Sequence, residues 1–369
     1  MGQAFGEQIW TERLCLGGER MDYRQQEDNG LQQLKADLKS GNIKRLYVFY
    51  GEEVFLLEHY LGQLKKQLVD ELTESFNYHK LTKENFDLRS FADAVESLLM
   101  MAEHTFVWVD DIDIFKLPDD DRTKLCDVFT DIPDYCTVIL TYETVQWKPD
   151  KRYKKLHDAV SSCAVVVEFP KQSQRDLVAW ITRHFAAEKK KISPDLCCYL
   201  IEITGGTMTA LAGEISKICA YSGADTIVKD DIDAVTEPIL DAVVFQMTDL
   251  LGEGKYGPAL LKLQQLLKMQ QAPLSILGAI GNHFRRISAA RILLDNGKGA
   301  ADLTRLYPQV RDYAAKKTIS AARGFSTSFC AKAAELIVDT DNKMKTSYDD
   351  PERLLELLLL QLAQEVRNG

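Results

Sequence analysis

The apolar run Leu46–Tyr50 ends on Gly51, and an amphipathic segment opens directly behind it. Strand, glycine turn and helix in that order cradle phosphates, because amides at the turn and the helix N-terminus converge on an anion. A second chemical lure closes the run Thr105–Val109: the acidic pair Asp110–Asp111, placed where a carboxylate would hold magnesium against those phosphates. Together they point to nucleoside triphosphate hydrolysis. A working loop, however, reads G-x-x-x-x-G-K-[ST], with lysine on the β/γ oxygens and a hydroxyl on the metal. Here the residues are Gly51-Glu52-Glu53-Val54-Phe55-Leu56-Leu57-Glu58. The first glycine stands; the second glycine, the lysine and the hydroxyl are absent. Glu52 and Glu53 lie where phosphates would sit, and each repels an anion 4 Å away by about 1 kcal/mol even in water. Their structural role is in the first turn of a helix, where the dipole favours acids. Asp110 and Asp111 then have no phosphates to bridge, and the sequence predicts the topology of a nucleotide-binding sheet without its chemistry. Cofactor and catalytic residues are both expected to be none.

The elements around this loop define the fold class. From Lys44 the short apolar runs Leu46–Tyr50, Tyr78–Leu81, Thr105–Val109, Thr137–Tyr142 and Ala164–Phe169 alternate with helical patterns near 53–70, 88–101, 119–129 and 151–160. Alternation of this kind predicts a parallel sheet flanked by helices, and runs such as FVWV and CTVIL suit strands buried on both faces. After Pro170 the strand signal fades. Capped helical segments from Ser173 to Glu237 predict a small helical lid domain, with TIVKDDIDAVTEP as a short edge and a small helix. From about Ile239 the chain is helical, with candidates at 241–252, 256–270, 273–295, 309–322, 326–345 and 350–367. The expected domains are an α/β domain over 21–170, a lid over 171–237 and an all-α domain over 238–369. Residues 1–20 show no sustained period and are expected to be a disordered leader, with Met21 as the natural start and a helix behind it that stops at Gly41.

Composition narrows the partners. Hydrophobic residues make up 46% and charged residues 27%, as in an ordinary globular protein. No run reaches the ~20 apolar residues of a membrane helix, and a cytoplasmic protein with no membrane contact is expected. The formal charge of −10 disfavours a stand-alone nucleic-acid binder. None of the eight cysteines forms a C-x-x-C pair, and the six histidines form no spaced cluster, so no metal site is expected. The basic stretch Lys151, Arg152, Lys154 and Lys155 reads as a solvated helix face or as an electrostatic contact to a partner. Glu214 and Lys217 are spaced to pair with each other. Arg285 and Arg286 suit either a neighbouring subunit or ion pairing inside the bundle. The last helix, ERLLELLLLQLAQEV, is apolar enough to need burial on a wide face, in its own bundle or at a collar interface.

Several segments in order and spacing resemble one family, the delta subunit of the bacterial DNA polymerase III clamp loader. They are LYVFYGEEVFLLE, ESLLMMAEHTFVWVDD, WKPDKRYKKL, GGTMTALAGEISKI, APLSILGAIGNHFRRI, YAAKKTISAARGFS and DTDNKMKTSYDDPERLLELLL. The resemblance spans nearly the whole chain from Met21. It implies an AAA+-like fold with a dead nucleotide site, a helical lid and an α-helical collar. It also implies a protein without ATP hydrolysis of its own, working inside the nucleotidyltransferase complex. The implied partners are the beta sliding clamp, which the subunit binds and opens, the tau/gamma ATPase and delta-prime subunits, and primer–template DNA through the complex. The implied clamp contact is the apolar stretch Leu98, Leu99, Met100 and Met101, at the end of the helix before the third strand. On composition alone these four read as core. The resemblance makes them the plug, with Leu99 and Met100 foremost, although this chain lacks the aromatic that many relatives carry there. The competing readings are an active P-loop ATPase of replication or repair and a general DNA-binding protein.

Overall fold

The structure, a computed structural model, describes residues 24–368 other than 100 and 309. The expected leader lies outside the described residues. The chain divides into two compact units between Gln172 and Ser173.

In the first unit the order is α1 (Arg24–Ser40), β1 (Leu46–Tyr50), α2 (Val54–Leu68), α3 (Glu74–Asn77), β2 (Tyr78–Leu81), α4 (Leu88–Val95) and β3 (Thr105–Asp110). A 3-10 turn at Ile114–Lys116 follows, then α5 (Asp119–Thr130), β4 (Cys136–Tyr142), α6 (Lys154–Cys163) and β5 (Ala164–Glu168). The five strands are parallel and ordered β2-β3-β4-β1-β5. β4, at the centre, is buried along its whole length, which is why it reads as a continuous apolar run rather than an alternating one. Leu46 and Val48 of β1 pack with Val107, Val138 and Leu140 on the face covered by α4, α5 and α6. On the outer side α1 lies against β5. The approach is so close that a Cβ on Gly30 would stand 2.0 Å from the carbonyl oxygen of Val166. Buried Asp37 of α1 is fully engaged, accepting from Tyr47 Oη at 2.8 Å and from Gln33 Nε2 at 2.7 Å.

The expected helix over 88–101 stops at Val95. Asp87 starts it by accepting from the Ser90 amide, and the Ser97 hydroxyl turns back to the Ala94 carbonyl at 3.0 Å as the chain leaves the helix. The described residues between Val95 and Thr105 are therefore outside the helix. Glu52 and Glu53 also differ from expectation. The helix begins at Val54, so Glu53 occupies the N-cap and neither acid is in the first turn.

The second unit is helical: α7 (Gln174–Ala187), α8 (Pro194–Thr204), α9 (Met208–Tyr221), α10 (Lys229–Val235), α11 (Leu240–Gly252), α12 (Tyr256–Lys268), α13 (Pro273–Asp295), α14 (Ala300–Leu306), α15 (Asp312–Ala322), α16 (Thr327–Thr346) and α17 (Pro351–Asn368). Ser173, Ser193, Thr207 and Ser326 each cap a helix by accepting from an amide of its first turn. The core around Met247, Leu263, Ile280, Phe284 and Leu362 is contributed by α11, α12, α13 and α17. Leu354, Leu355, Leu358, Leu359 and Leu362 of α17 are buried in this bundle, while Leu357 and Leu360 face outward. Three polar ties join α7, α8 and the turn behind α8 to α15 and its start. Lys317 Nζ donates to both Glu202 oxygens at 2.8 and 2.9 Å, the Tyr313 amide donates to Gln174 Oε1 at 2.9 Å, and Arg311 donates to the Gly206 carbonyl at 2.9 Å. Short α14 is an element the sequence reading did not separate, and the helix expected from 309 starts at Asp312.

Candidate functional site

The turn that could cradle phosphate is three residues long, Gly51 to Glu53, between the end of β1 and the start of α2. A phosphate loop needs several more residues to wrap its amides around an anion. Here the backbone is already spent on Phe169. The Glu53 amide donates to the Phe169 carbonyl at 3.0 Å, and the Phe169 amide donates to the Tyr50 carbonyl at 2.7 Å. Gly51 has φ +135°, a conformation for which glycine is suited. Glu53 is buried and Glu52 is exposed.

At the carboxyl ends of β3 and β4 the acidic pair has structural work. Asp110 Oδ1 accepts from Thr141 Oγ1 at 3.0 Å, and its Oδ2 lies 3.0 Å from Lys80 Nζ, an ammonium that also sits over the Trp108 ring. Asp111, at φ +61°, turns its carboxylate onto the loop behind β4. It accepts from the amides of Glu143 at 2.9 Å, Thr144 at 3.0 Å and Val145 at 3.0 Å, and from the Thr144 hydroxyl. Burial alone would raise the Asp111 pKa, but the hydrogen bonds from the Thr144 side chain and the three amides outweigh it and hold the carboxyl below its ordinary range. Burial raises the neighbouring Glu143, helped by the charges of Asp110, Glu58 and Asp111. Glu58, Asp110, Asp111 and Glu143 thus lie close enough to feel one another's charge, and Lys80 and Lys83 pair with the two aspartates. Among the described residues no group of three or more His, Cys, Asp or Glu side chains is arranged to hold a metal.

Asp111→Ala is expected to destabilise the protein by about 2 kcal/mol, because three amides and a hydroxyl lose their acceptor. Asp111→Asn, which keeps one oxygen and tolerates the left-handed backbone, should lose about half of that. Urea midpoints of the two variants check this, and midpoints equal to that of the parent would mean that Asp111 is not a loop clasp.

The implied plug lies at the opposite end of the sheet, in the loop that enters β3. Leu98 is 84% exposed and Met101 95%, with Met101 at φ +55°. Leu99 is half-buried. Met100 lies outside the described residues. Among the described members of the stretch, Leu98 and Met101 are the most exposed side chains. The exposed Leu98 and Met101 also depart from the core reading that composition alone favoured.

In the basic stretch, Arg152 is committed to Asp150, its Nε and Nη2 donating to that carboxylate at 3.0 and 2.6 Å. Lys151, Lys154 and Lys155 are exposed. Lys154 and Lys155 open α6, where a cation opposes the helix dipole. Glu214 pairs with Lys217 at 2.8 Å and also accepts from Thr236. Arg286 reaches Asp241 at 3.9 Å within the bundle, while Arg285 donates to Asn282 of its own helix.

Three-residue turn and five-stranded parallel sheet define a class: an α/β fold with helices packed on its sheet, followed by a helical C-terminal region. Two family models match the chain. One described as "DNA polymerase III, delta subunit" covers residues 47–169, and one described as "DNA polymerase III delta subunit, C-terminal domain" covers 241–362. The chain belongs to the family of DNA polymerase III delta subunits, a component of that replicative polymerase complex. It is similar to DNA polymerase III subunit delta of Bacillus subtilis, 26% identical over 333 residues that make up 88% of this chain and 94% of that one. It is similar also to a probable DNA polymerase III subunit delta of Aquifex aeolicus, 21% identical over 69% of this chain and 73% of the other. Among solved structures, a Bacillus subtilis DNA clamp loader delta protein shares the fold with a TM-score of 0.58 and 23% identity, over 90% of this chain and 99% of that one.

Proposed function

We propose that this chain is the clamp-opening subunit of a clamp loader and hydrolyses no ATP itself. It binds the beta sliding clamp through Leu98, Leu99, Met100 and Met101 and holds the ring open for loading onto primed DNA. The observation that carries the reading is the exposure of Leu98 and Met101 at a loop followed directly by a buried strand. Apolar side chains held in water gain roughly 1.5–3 kcal/mol each when a concave apolar site buries them. The short turn at Gly51 and the carboxylates beside it support a subunit whose energy comes from neighbouring ATPases, the tau/gamma subunits, with delta-prime completing the assembly. Lys151, Lys154 and Lys155 suit contact with an anionic partner, either protein or the primer–template DNA held by the complex.

The division into an α/β domain to about residue 170, a lid to about 237 and a collar beyond it belongs to the same proposal. Outward-facing Leu357 and Leu360 of α17 support the collar as an assembly surface. The cytoplasm is the compartment in which such a subunit works.

Titration of the full chain against its clamp tests the reading. Leu98→Ser/Met101→Ser is expected to weaken binding by about 100-fold, the loss of two well-buried apolar anchors. Leu99→Ala, at a half-buried position, is expected to weaken it less. Parent-like affinity in both variants would remove this stretch from the interface, and micromolar binding of magnesium-ATP by the isolated chain would restore the ATPase reading.

A further inference from the structure

Two segments lead into neighbouring strands at one corner of the sheet. β2 is an edge strand and runs parallel to β3, with Tyr78 paired to Phe106. Segment 69–77 enters β2 and segment 96–104 enters β3, so both lie beyond the amino-terminal end of the same strand pair. Ser97 Oγ and His79 Nε2, 3.5 Å apart, link the second loop to β2. Each loop exposes large apolar side chains: Leu72 at 90% and Phe76 at 56% in the first, beside Leu98 and Met101 in the second.

The first loop is held in shape by its own bonds. The Leu72 amide donates to Asp70 Oδ1 at 2.9 Å, the Phe76 amide to the Thr73 carbonyl at 3.0 Å, and Asn77 Nδ2 to the Thr73 carbonyl at 3.2 Å, with Thr73 and Asn77 buried. Leu72 and Phe76 are thus presented on an ordered backbone, which lowers the entropy that a partner must overcome. The charges within the two segments are all acidic, and one of them, Glu74, is paired with Lys65 of α2 at 2.5 Å. The two segments contain Asp70, Glu71, Glu74, Glu96 and Glu103 and neither Lys nor Arg. An apolar centre inside a charged rim is the layout of a specific docking surface. Facing itself, this surface would set like charges together, so a second copy of the chain is a poor occupant, and so is a nucleic acid.

We propose that Leu72 and Phe76 complete the docking face that Leu98 and Met101 begin, and that its occupant is the ring clamp, through an apolar pocket rimmed by Lys and Arg. The inference rests on the clamp reading above and extends it to a second loop and to the charge of the partner.

The test titrates the full chain against immobilised clamp at low and at raised salt. Leu72→Ser/Phe76→Ser should weaken binding at least about 10-fold, as truncation of interface anchors does. Glu71→Lys/Glu103→Lys should weaken it by a similar factor at low salt and much less at roughly 0.5 M salt, where the Debye length falls to about 4 Å. The charge variant buries nothing and so reports even if the serine variant were to fold poorly. If Leu72→Ser/Phe76→Ser and the charge variant bind like the parent while Leu98→Ser/Met101→Ser does not, the extension is wrong and the clamp reading stands. If all three bind like the parent, the clamp reading fails and takes the extension with it. A sedimentation experiment in which Leu72→Ser/Phe76→Ser breaks a dimer of the chain, with clamp binding intact, would assign the patch to a second copy and overturn the proposal.

Discussion

Alanine at position 51 is expected to cost about 2–6 kcal/mol of folding stability, combining roughly 1–3 for strained backbone with roughly 1–3 for a forced contact. Gly51 sits at φ +135°, and a Cβ there would stand 2.2 Å from the carbonyl oxygen and 2.7 Å from the amide nitrogen of Phe169. Both neighbours are backbone atoms. They are fixed by the bonds from Glu53 to Phe169 and from Phe169 to Tyr50, so neither can yield without opening the end of β1. Gly62→Ala is the internal control. It lies on α2, where a Cβ meets nothing within 4 Å. Alanine there should stabilise by about 0.5–1 kcal/mol, as at an open helical site. Urea denaturation of the two variants separates the effects, and a Gly51→Ala midpoint close to that of Gly62→Ala would show that the turn is slack. The glycine that looks like a relic of nucleotide binding is thus explained by packing alone.

Acid should weaken the C-terminal helical unit through one imidazole. His283 of α13 is buried, its Nε2 has no hydrogen-bond partner, and its ring meets Phe245 edge-on at 4.9 Å. Burial, and then the nearby Arg286 charge, lower its pKa to about 3. In the unfolded chain the same group titrates near 6.5. Between those values the unfolded state binds a proton that the folded state refuses. The stability is therefore fully present above about pH 6.5 and is lost as pH falls toward 3, at about 1.4 kcal/mol per pH unit. Between pH 7 and pH 4 the loss from this group is about 3 kcal/mol. His283→Leu should remove that component, so that the parent loses about 3 kcal/mol more than the variant between pH 7 and pH 4. Parallel stability–pH curves for the two proteins would refute the assignment.

Much of the fold was legible because parallel strands buried on both faces are unbroken apolar runs. All five strands lie within a residue or so of their expected limits. The misses have separate physical causes. The helix 88–101 was drawn too long because Leu98–Met101 continues an apolar pattern, whereas the Ser97 hydroxyl draws the chain out of the helix. Period alone cannot distinguish an apolar side chain in water from one in the core. The role of Asp111 was hidden because its partners lie 32 to 34 residues away in the chain, across a strand pair. Leu72 and Phe76 carry no sequence period as single apolar residues among acids, and only the pairing of β2 with β3 places their segment at the same end of the sheet as Leu98 and Met101. The missing lysine and hydroxyl after Gly51, by contrast, were plain in the sequence.

The brevity of the Gly51–Glu53 turn also limits how this lineage could change. A single codon change to lysine near Val54 or Leu57 would put an ammonium on a helix that has already begun, beside a turn with no slack to close over an anion. Recovery of a triphosphate grip would take inserted residues, release of the turn from Phe169 and removal of carboxylates at the strand ends, with no advantage from any one step. A route from this turn to a phosphate-binding loop therefore runs through several changes rather than one.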